Sequence, residues 1–538
     1  MAPVTVDTSN ALEAGTGLIM PSGGSTARQV STGETEARKQ VRGSSLLLLG
    51  RVLSRGSNFL VQVLTVRYLT VSDYGAFAYA LSLVTLGQTI ATCGLDRAVT
   101  RFVPMYQERK DYDRLFGTLL MTGGTILSLG VLIALGVLLF SSGIDMGQES
   151  RQATALLMIL IFLVPLQALD DLVVGLFAVF AAPRAIFFRR HVLAPGLKLA
   201  VVLLLVALKA SVLFLAVGYV VASLIGVAWY GVMLYRLTHA NGLMSQLSWK
   251  SVVVPWREVL SFTVPLLTSD LVFVVLNSVT VISLQHFHGL TGVAGLRAQQ
   301  PIAAMNHLVM VSFQTLFTPL ASRLFARDDR AGINELYWKT GMWMAVLTFP
   351  IFVLTFSTAG PLTSVLFGAR YEGSAALLTV LALGYYFDAA LGFNGLVLKI
   401  YGMLRYVMLI SFITVGITLV ANLALIPKFG AFGAAGAITI GIVAHNILKQ
   451  TGLRLGTGIN VFEWRYFRGY CVIVAAAVAV FTLQWVVKPP VYVSLAAAAV
   501  ASWIVFWLNR HLLELDETFP ELARQPVLKR LLGLAGTR

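Results

Sequence analysis

Charge is what this chain has least of. Asp, Glu, Lys and Arg make up 12% of its 538 residues against 57% hydrophobic ones, whereas a soluble domain carries about 25% charge. That balance excludes a soluble globular fold and predicts an all-α polytopic membrane protein. Cysteine is nearly absent: Cys93 and Cys471 lie in or beside apolar runs with no CxxC and no His-rich neighbour, which argues against a disulfide framework and a zinc site. No metal or other cofactor is expected. No GxxxxGK[ST] sequence occurs, so the chain lacks the phosphate cradle of a P-loop ATPase. The outward loops are all short. They leave no sizeable extramembrane domain for the carboxylates or histidines of a polyprenyl-dependent glycosyltransferase or glycan polymerase, and no enzyme activity is expected. Residues 1–43 are rich in Ser, Thr, Gly and Ala and have no apolar core of signal-peptide length, so a disordered tail without cleavage is expected.

What the chain does have is a succession of apolar runs, at 44–66, 75–95, 117–140, 153–181, 191–208, 211–235, 259–285, 293–322, 337–358, 375–398, 406–426, 433–453, 466–487 and 490–509. Most are close to the roughly 20 residues that cross a bilayer. The weakest division is Lys209-Ala210-Ser211. A single helix over 191–235 would be about 67 Å long, twice a hydrocarbon core, so two helices are expected. Basic residues test the count of about fourteen transmembrane helices, because a wrong number would scramble their alternation between faces. Twenty-nine fall on one side, from Arg28, Arg97, Arg101, Arg189 and Arg190 through Lys449 to Arg538, and six on the other: Arg67, Arg151, Lys209, Arg370, Lys428 and Lys488. Both termini are therefore expected in the cytoplasm. The net charge of +15 is accounted for by the membrane surface, and nucleic acid is not an expected partner.

The two halves resemble each other. FAAPRAIFFRRHVL (180–193) parallels KIYGMLRYVMLISF (399–412), VALKASVLFLAVGYVVA (206–222) parallels LALIPKFGAFGAAGAIT (423–439), and SDYGAFAYA (72–80) parallels LTGVAGLRAQQ (290–300). Three matches in one order, six helices apart, predict a duplicated unit whose copies insert in the same direction. The expected organisation is two pseudo-symmetric six-helix lobes, 44–236 and 259–455, joined by a cytoplasmic linker at 237–258. An additional helix pair at 466–509 and a cytoplasmic tail at 510–538 follow.

YLTVSDYGAFAYALSL (68–83), GLDRAVTRFVPMY (94–106), FGARYEGSAALLTVLALGYY (367–386) and, most specifically, NLALIPKFGAFGAAGAITI (422–440) resemble the polysaccharide flippase branch (Wzx type) of the multidrug/oligosaccharidyl-lipid/polysaccharide exporter superfamily. The resemblance covers roughly residues 44–455. It implies flipping of an undecaprenyl-diphosphate-linked, or related polyprenyl-linked, oligosaccharide from the inner to the outer leaflet of a bacterial cytoplasmic membrane by alternating access. Export of exopolysaccharide would follow, with a glycan polymerase and other polysaccharide-assembly proteins as partners. Lipid II flippases of the superfamily commonly have fourteen helices, which keeps that activity as an alternative. An ion-coupled drug antiporter is a third.

Within this frame the charges inside the apolar runs stand out, since each costs roughly 2.5–3.5 kcal/mol at the membrane centre. Arg51, Arg55, Asn58 and Gln62 form a polar stripe within about 60° of one helix face. Arg55 lies ~16 Å and Arg51 ~10 Å along a helix entering at residue 44. Guanidinium forks hold phosphate oxygens bidentately; the alternative is an ion pair with Asp270 or Asp388. Those two carboxylates are the candidates for proton or sodium coupling, because an embedded carboxylate takes up and releases a cation as its surroundings change. A role as simple counter-ions is equally open. Asn277, Arg297 and Gln300 complete the expected substrate-binding set, with amides for sugar hydroxyls. Arg297 is expected either to meet a phosphate or to snorkel to the interface. Arg97, Arg101 and the Arg189-Arg190 pair are expected to anchor the protein at the basic face, and Asp170 and Asp171 to be interfacial.

Overall fold

The computed structural model describes residues 50–140, 148–180, 186–240, 242–246, 248 and 250–514, with the backbone alone at 148–150, 243–244, 264–273 and 276. The expected tail at 1–43, and most of that at 510–538, lies outside the described residues. The chain is helical. Its elements are α1 (50–68), α2 (Val71–Thr92), α3 (Leu95–Glu108), α4 (Tyr112–Phe140), α5 (Gln148–Leu160), α6 (Leu163–Val179), α7 (Phe187–Ala207) and α8 (Val212–Ala240). There follow α9 (Trp256–Ala303), α10 (Asn306–Ala326), α11 (Arg330–Phe356), α12 (Ala359–Phe367), α13 (Ala375–Ala390), α14 (Asn394–Ile400), α15 (Leu404–Thr457), α16 (Phe467–Val487) and α17 (Val491–Asn509).

Eleven helical stretches among the described residues are long and apolar enough to cross a membrane. Fourteen crossings follow among the described residues when α1 is added to these and when the two arms of α9 and the two arms of α15, which each reverse at a glycine, are counted separately. Gly289 (φ 70, ψ −172) and Gly430 (φ 58, ψ −132) adopt a backbone that side-chain-bearing residues rarely take. A Cβ on Gly433 would lie 2.3 Å from the Leu425 carbonyl oxygen, and one on Gly292 3.2 Å from the Leu284 side chain. Eight residues along one straight helix would be ~12 Å apart, so the arms lie side by side. The two turns touch, His288 Nε2 sitting 2.8 Å from the Ile426 carbonyl oxygen. Lys209, in the left-handed region at φ 48, ends α7 and divides it from α8 where the division was expected.

Two buried apolar clusters hold the helices together. One runs through α1–α8 and continues into α9, α12, the start of α13 and the bend of α15. The other joins α10, α11, the end of α13, α14, α16 and α17. The first cluster crosses between the halves at the end opposite the basic loops. There a Cβ on Gly75 of α2 would fall 2.1 Å from the carbonyl oxygen of Leu290, at the start of the second arm of α9. The repeat-related segments 72–80 and 290–300 are thus packed against each other. Nearer the basic face, α1 exposes Arg51 and Asn58, and α10 exposes His307 and Gln314. Further lobe-to-lobe ties follow the linker edge: Tyr106 donates to Glu258 (2.8 Å), Val253 N–H to Asp113 O (3.2 Å), and Arg101 lies 4.3 Å from the centre of the Phe262 ring. α3 is an amphipathic helix burying Leu95, Ala98, Val99, Phe102, Val103 and Tyr106 and exposing Arg97 and Arg101.

The additional pair α16–α17 packs on α11, with Phe356 and Phe481 ring centres 5.3 Å apart. Beyond α17, Glu514 pairs with Lys339 of α11 and with Arg465 at 2.6 Å. The Lys339 hydrogen bond, then that of Arg465, hold the Glu514 carboxyl below its ordinary range. A depressed carboxyl stabilises the fold above the ordinary glutamate range and loses that contribution as pH falls through the folded value. We expect Glu514→Gln to lower stability by ~1 kcal/mol at neutral pH, a small contribution because the cluster is partly solvated. Thermal unfolding in detergent from pH 7 to 3 should show wild type and variant converging at the acid end. Parallel curves would remove Glu514 from the acid response.

Candidate functional site

A polar network crosses between the halves just inside the closed end. Gln62 of α1 donates to the Tyr74 hydroxyl (2.6 Å) and to the Arg297 carbonyl (3.3 Å). The Arg297 guanidinium donates to Ser82 Oγ of α2 (2.9 Å) and to Gln300 Oε1 (3.0 Å). Gln300 donates to Asn277 Oδ1 (3.2 Å) and to the Tyr385 hydroxyl of α13 (3.4 Å). Four expected site residues, Gln62, Asn277, Arg297 and Gln300, therefore meet in one place. Arg297 does not snorkel. Its Nε is buried without a hydrogen-bond partner, and no described carboxylate pairs with it, so it is a half-buried cation held, among the described residues, by neutral groups.

Arg51, Arg55 and Asn58 continue the stripe of α1 from Gln62 toward the basic face. Among the described residues neither Arg51 nor Arg55 makes an ion pair; Arg55 is half-buried and Arg51 exposed. His307 lies within electrostatic reach of both Arg55 and Asp388, which sets the arginine stripe opposite α10. The Asp270 side chain lies outside the described residues. Asp388 opens on a cavity of about 380 Å³ within the second half, lined among others by Asn277, His307, Tyr385, His445 and Lys449. It accepts a hydrogen bond from Asn446 (2.8 Å). The arginine stripe, the closing network and this cavity meet along α9, α10 and α13, with Asn277 and Tyr385 shared between network and cavity.

Two assignments of basic residues to the membrane face are corrected. Lys449 lines the cavity. Arg189 is 3% exposed and bonded to Asp170 at 2.6 Å, while Asp171 accepts from Gln88 at 2.8 Å; Asp170 and Asp171 are thus tied into the first lobe rather than left at the interface. Tyr74, Ser82 and Tyr385 carried no local signal, because each gains its place only from helices remote in sequence.

The sequence profile described as "Polysaccharide biosynthesis protein" matches residues 40–325, more than half of the chain. The chain belongs to that family. An uncharacterized membrane protein of Methanocaldococcus jannaschii is 22% identical over 416 residues, covering 74% of this chain and 80% of its own. The lipid II flippase MurJ in an inward closed conformation superposes with a TM-score of 0.65 at 13% identity, over 88% of this chain and 100% of its own. An inward-facing multidrug resistance MATE transporter of the MOP superfamily gives 0.58 at 15% identity, over 75% and 94%. At such identities these likenesses establish the fold. This polysaccharide biosynthesis family protein has the architecture of a multi-pass MOP-superfamily transporter.

The electrostatics of Arg297 are testable. A lone buried charge is destabilising unless compensated, and an apolar residue of similar volume is often neutral or better. We expect Arg297→Met to leave the unfolding midpoint unchanged or raised, and Tyr74→Phe to lower stability by about 1 kcal/mol through loss of one hydrogen bond. A fall of several degrees for Arg297→Met would mean that the guanidinium is compensated.

Proposed function

We propose that this protein is a flippase translocating a polyprenyl-diphosphate-linked oligosaccharide from the inner to the outer leaflet of a bacterial cytoplasmic membrane by alternating access. The observation carrying this reading is the pair of arginines without ion-pair partners among the described residues, Arg51 and Arg55, on the face of α1 toward α10, with the half-buried Arg297 at the closed end beyond them. With both termini cytoplasmic, the basic face is the entry side. A diphosphate arriving there meets two guanidinium forks, whose bidentate bonds offset its lost hydration. Asn58, Gln62, Asn277 and Gln300 offer amide donors and acceptors to sugar hydroxyls. An anion reaching Arg297 competes with Ser82 and Gln300 by making stronger charge-assisted bonds, which favours opening of the outer end. Asp388, and Asp270 from its place in α9, supply carboxylates for proton or sodium coupling. The exported glycan would then pass to a polymerase and other polysaccharide-assembly proteins.

A second reading, lipid II as cargo, uses the same diphosphate chemistry and is favoured by the full-length likeness to MurJ. A drug antiporter receiving a cation fits less well, because α1 presents cations.

Removal of a charge-assisted hydrogen bond costs about 1.5–3 kcal/mol, or roughly ten- to a hundredfold in an equilibrium constant. Arg55→Ala should therefore insert normally but accumulate lipid-linked oligosaccharide in the cytoplasmic leaflet, with Arg55→Lys intermediate. Wild-type outward glycan from correctly inserted Arg55→Ala would overturn the reading. Supplying lipid II and a lipid-linked oligosaccharide separately in proteoliposomes decides between the two cargoes.

A further inference from the structure

The first lobe contains a buried charged cluster that the proposed pathway does not use, and it is built around an irregular helix. Phe187–Leu193, the opening of α7, is a π-helix, a rare conformation concentrated at functional sites. Within it Arg189 and His191 project in roughly opposite directions, as residues two apart on a helix do. Arg189 is fixed on three sides. Its Nε donates to the Gly226 carbonyl of α8 (3.1 Å), its outer nitrogen holds Asp170 of α6 (2.6 Å), and the guanidinium lies 4.9 Å from the centre of the Tyr230 ring. Gly226 is required for this fit, since a Cβ there would come within 2.1 Å of the guanidinium.

His191 points the other way, onto α1. Its Nδ1 lies 3.0 Å from Ser54 Oγ in a buried contact, and Ser54 Oγ also lies 3.1 Å from the Arg51 carbonyl. The single hydroxyl proton of Ser54 serves that carbonyl, so Nδ1–H of His191 is the donor to Ser54. The imidazole also packs closely against Gly50, where a Cβ would come 2.6 Å from His191 Cδ2. On α1, Gly50 and Ser54 are centred roughly a quarter-turn from the stripe of Arg51, Arg55, Asn58 and Gln62. A clamp at that azimuth determines which way the stripe faces. A rotation of about 20° would move a group ~6 Å from the helix axis by ~2 Å, enough to spoil bidentate geometry.

We infer that His191, seated by the π-turn and by the Arg189–Asp170 pair, is a positioning residue that fixes the rotation of α1 and so aims the arginine stripe at the space between the lobes. What the stripe receives rests on the diphosphate reading above; the clamp itself does not. The test needs no substrate. In full-length protein carrying Cys93→Ala and Cys471→Ala, a cysteine at Asn58, exposed on the stripe, is labelled with a membrane-impermeant maleimide in open membrane fragments. A cysteine at Gln314, exposed on α10, serves as control. His191→Leu should change the labelling rate at position 58 several-fold and leave that at 314 unchanged. His191→Asn, whose amide nitrogen can take the place of Nδ1, should restore it. Ser54→Ala removes the same bond from the other side and should reproduce the shift if His191→Leu folds poorly. An unchanged rate at 58 in both variants, or equal shifts at 58 and 314, would overturn the inference. Because labelling involves no cargo, that failure is distinct from a failure of the Arg55→Ala transport experiment.

Discussion

The structure depends on one close approach, that of α2 to the second arm of α9, where Gly75 lies against the Leu290 carbonyl. A side chain at 75 would hold the backbones apart, and the absence of one lets the two repeat-related helices seal the end opposite the basic loops. Close packing through small residues is the main source of cohesion between helices in a bilayer, where burial of apolar surface offers no advantage over lipid. The cross-lobe network that holds Arg297 lies against that seal.

The seal is apolar at its core and polar just beneath. Ser82, Tyr74, Gln62 and Gln300 bond to one another and to part of Arg297, leaving its Nε without a hydrogen bond and the cation without an ion-pair partner among the described residues. Such an arrangement is stable enough to persist and is sensitive to an arriving anion, because neutral hydrogen bonds are readily exchanged for charge-assisted ones. In the first lobe, by contrast, the buried charges are paired: Arg189 holds Asp170. The two halves thus use buried charge differently, one as a fixed brace beside α1 and the other beside a cavity carrying Asp388 and Lys449.

Much of the fold was legible because hydropathy and basic-residue alternation are local properties. The break at Lys209 and the separate helix pair at the end of the chain could both be read without coordinates. The candidate residues were legible for a similar reason: a charge inside an apolar run is conspicuous wherever it points. Their partners were not. Ser82 and Tyr385 are ordinary residues of membrane helices, and they matter only because α2 and α13 bring them to Arg297 and Gln300. Arg189 was misplaced at the surface because its position near a basic loop resembles an anchor, and only the π-turn and the space at Gly226 turn it inward.

The sequence by itself determined the number of membrane crossings and the stripe on α1, because length, hydropathy and a 3.6-residue period suffice for these. Only the tertiary structure decided which end is sealed, which arginines are paired and which way the stripe turns. Those depend on backbone approaches at Gly75, Gly226 and Gly50, where the decisive feature is a missing side chain whose effect is set by a helix far away in the chain.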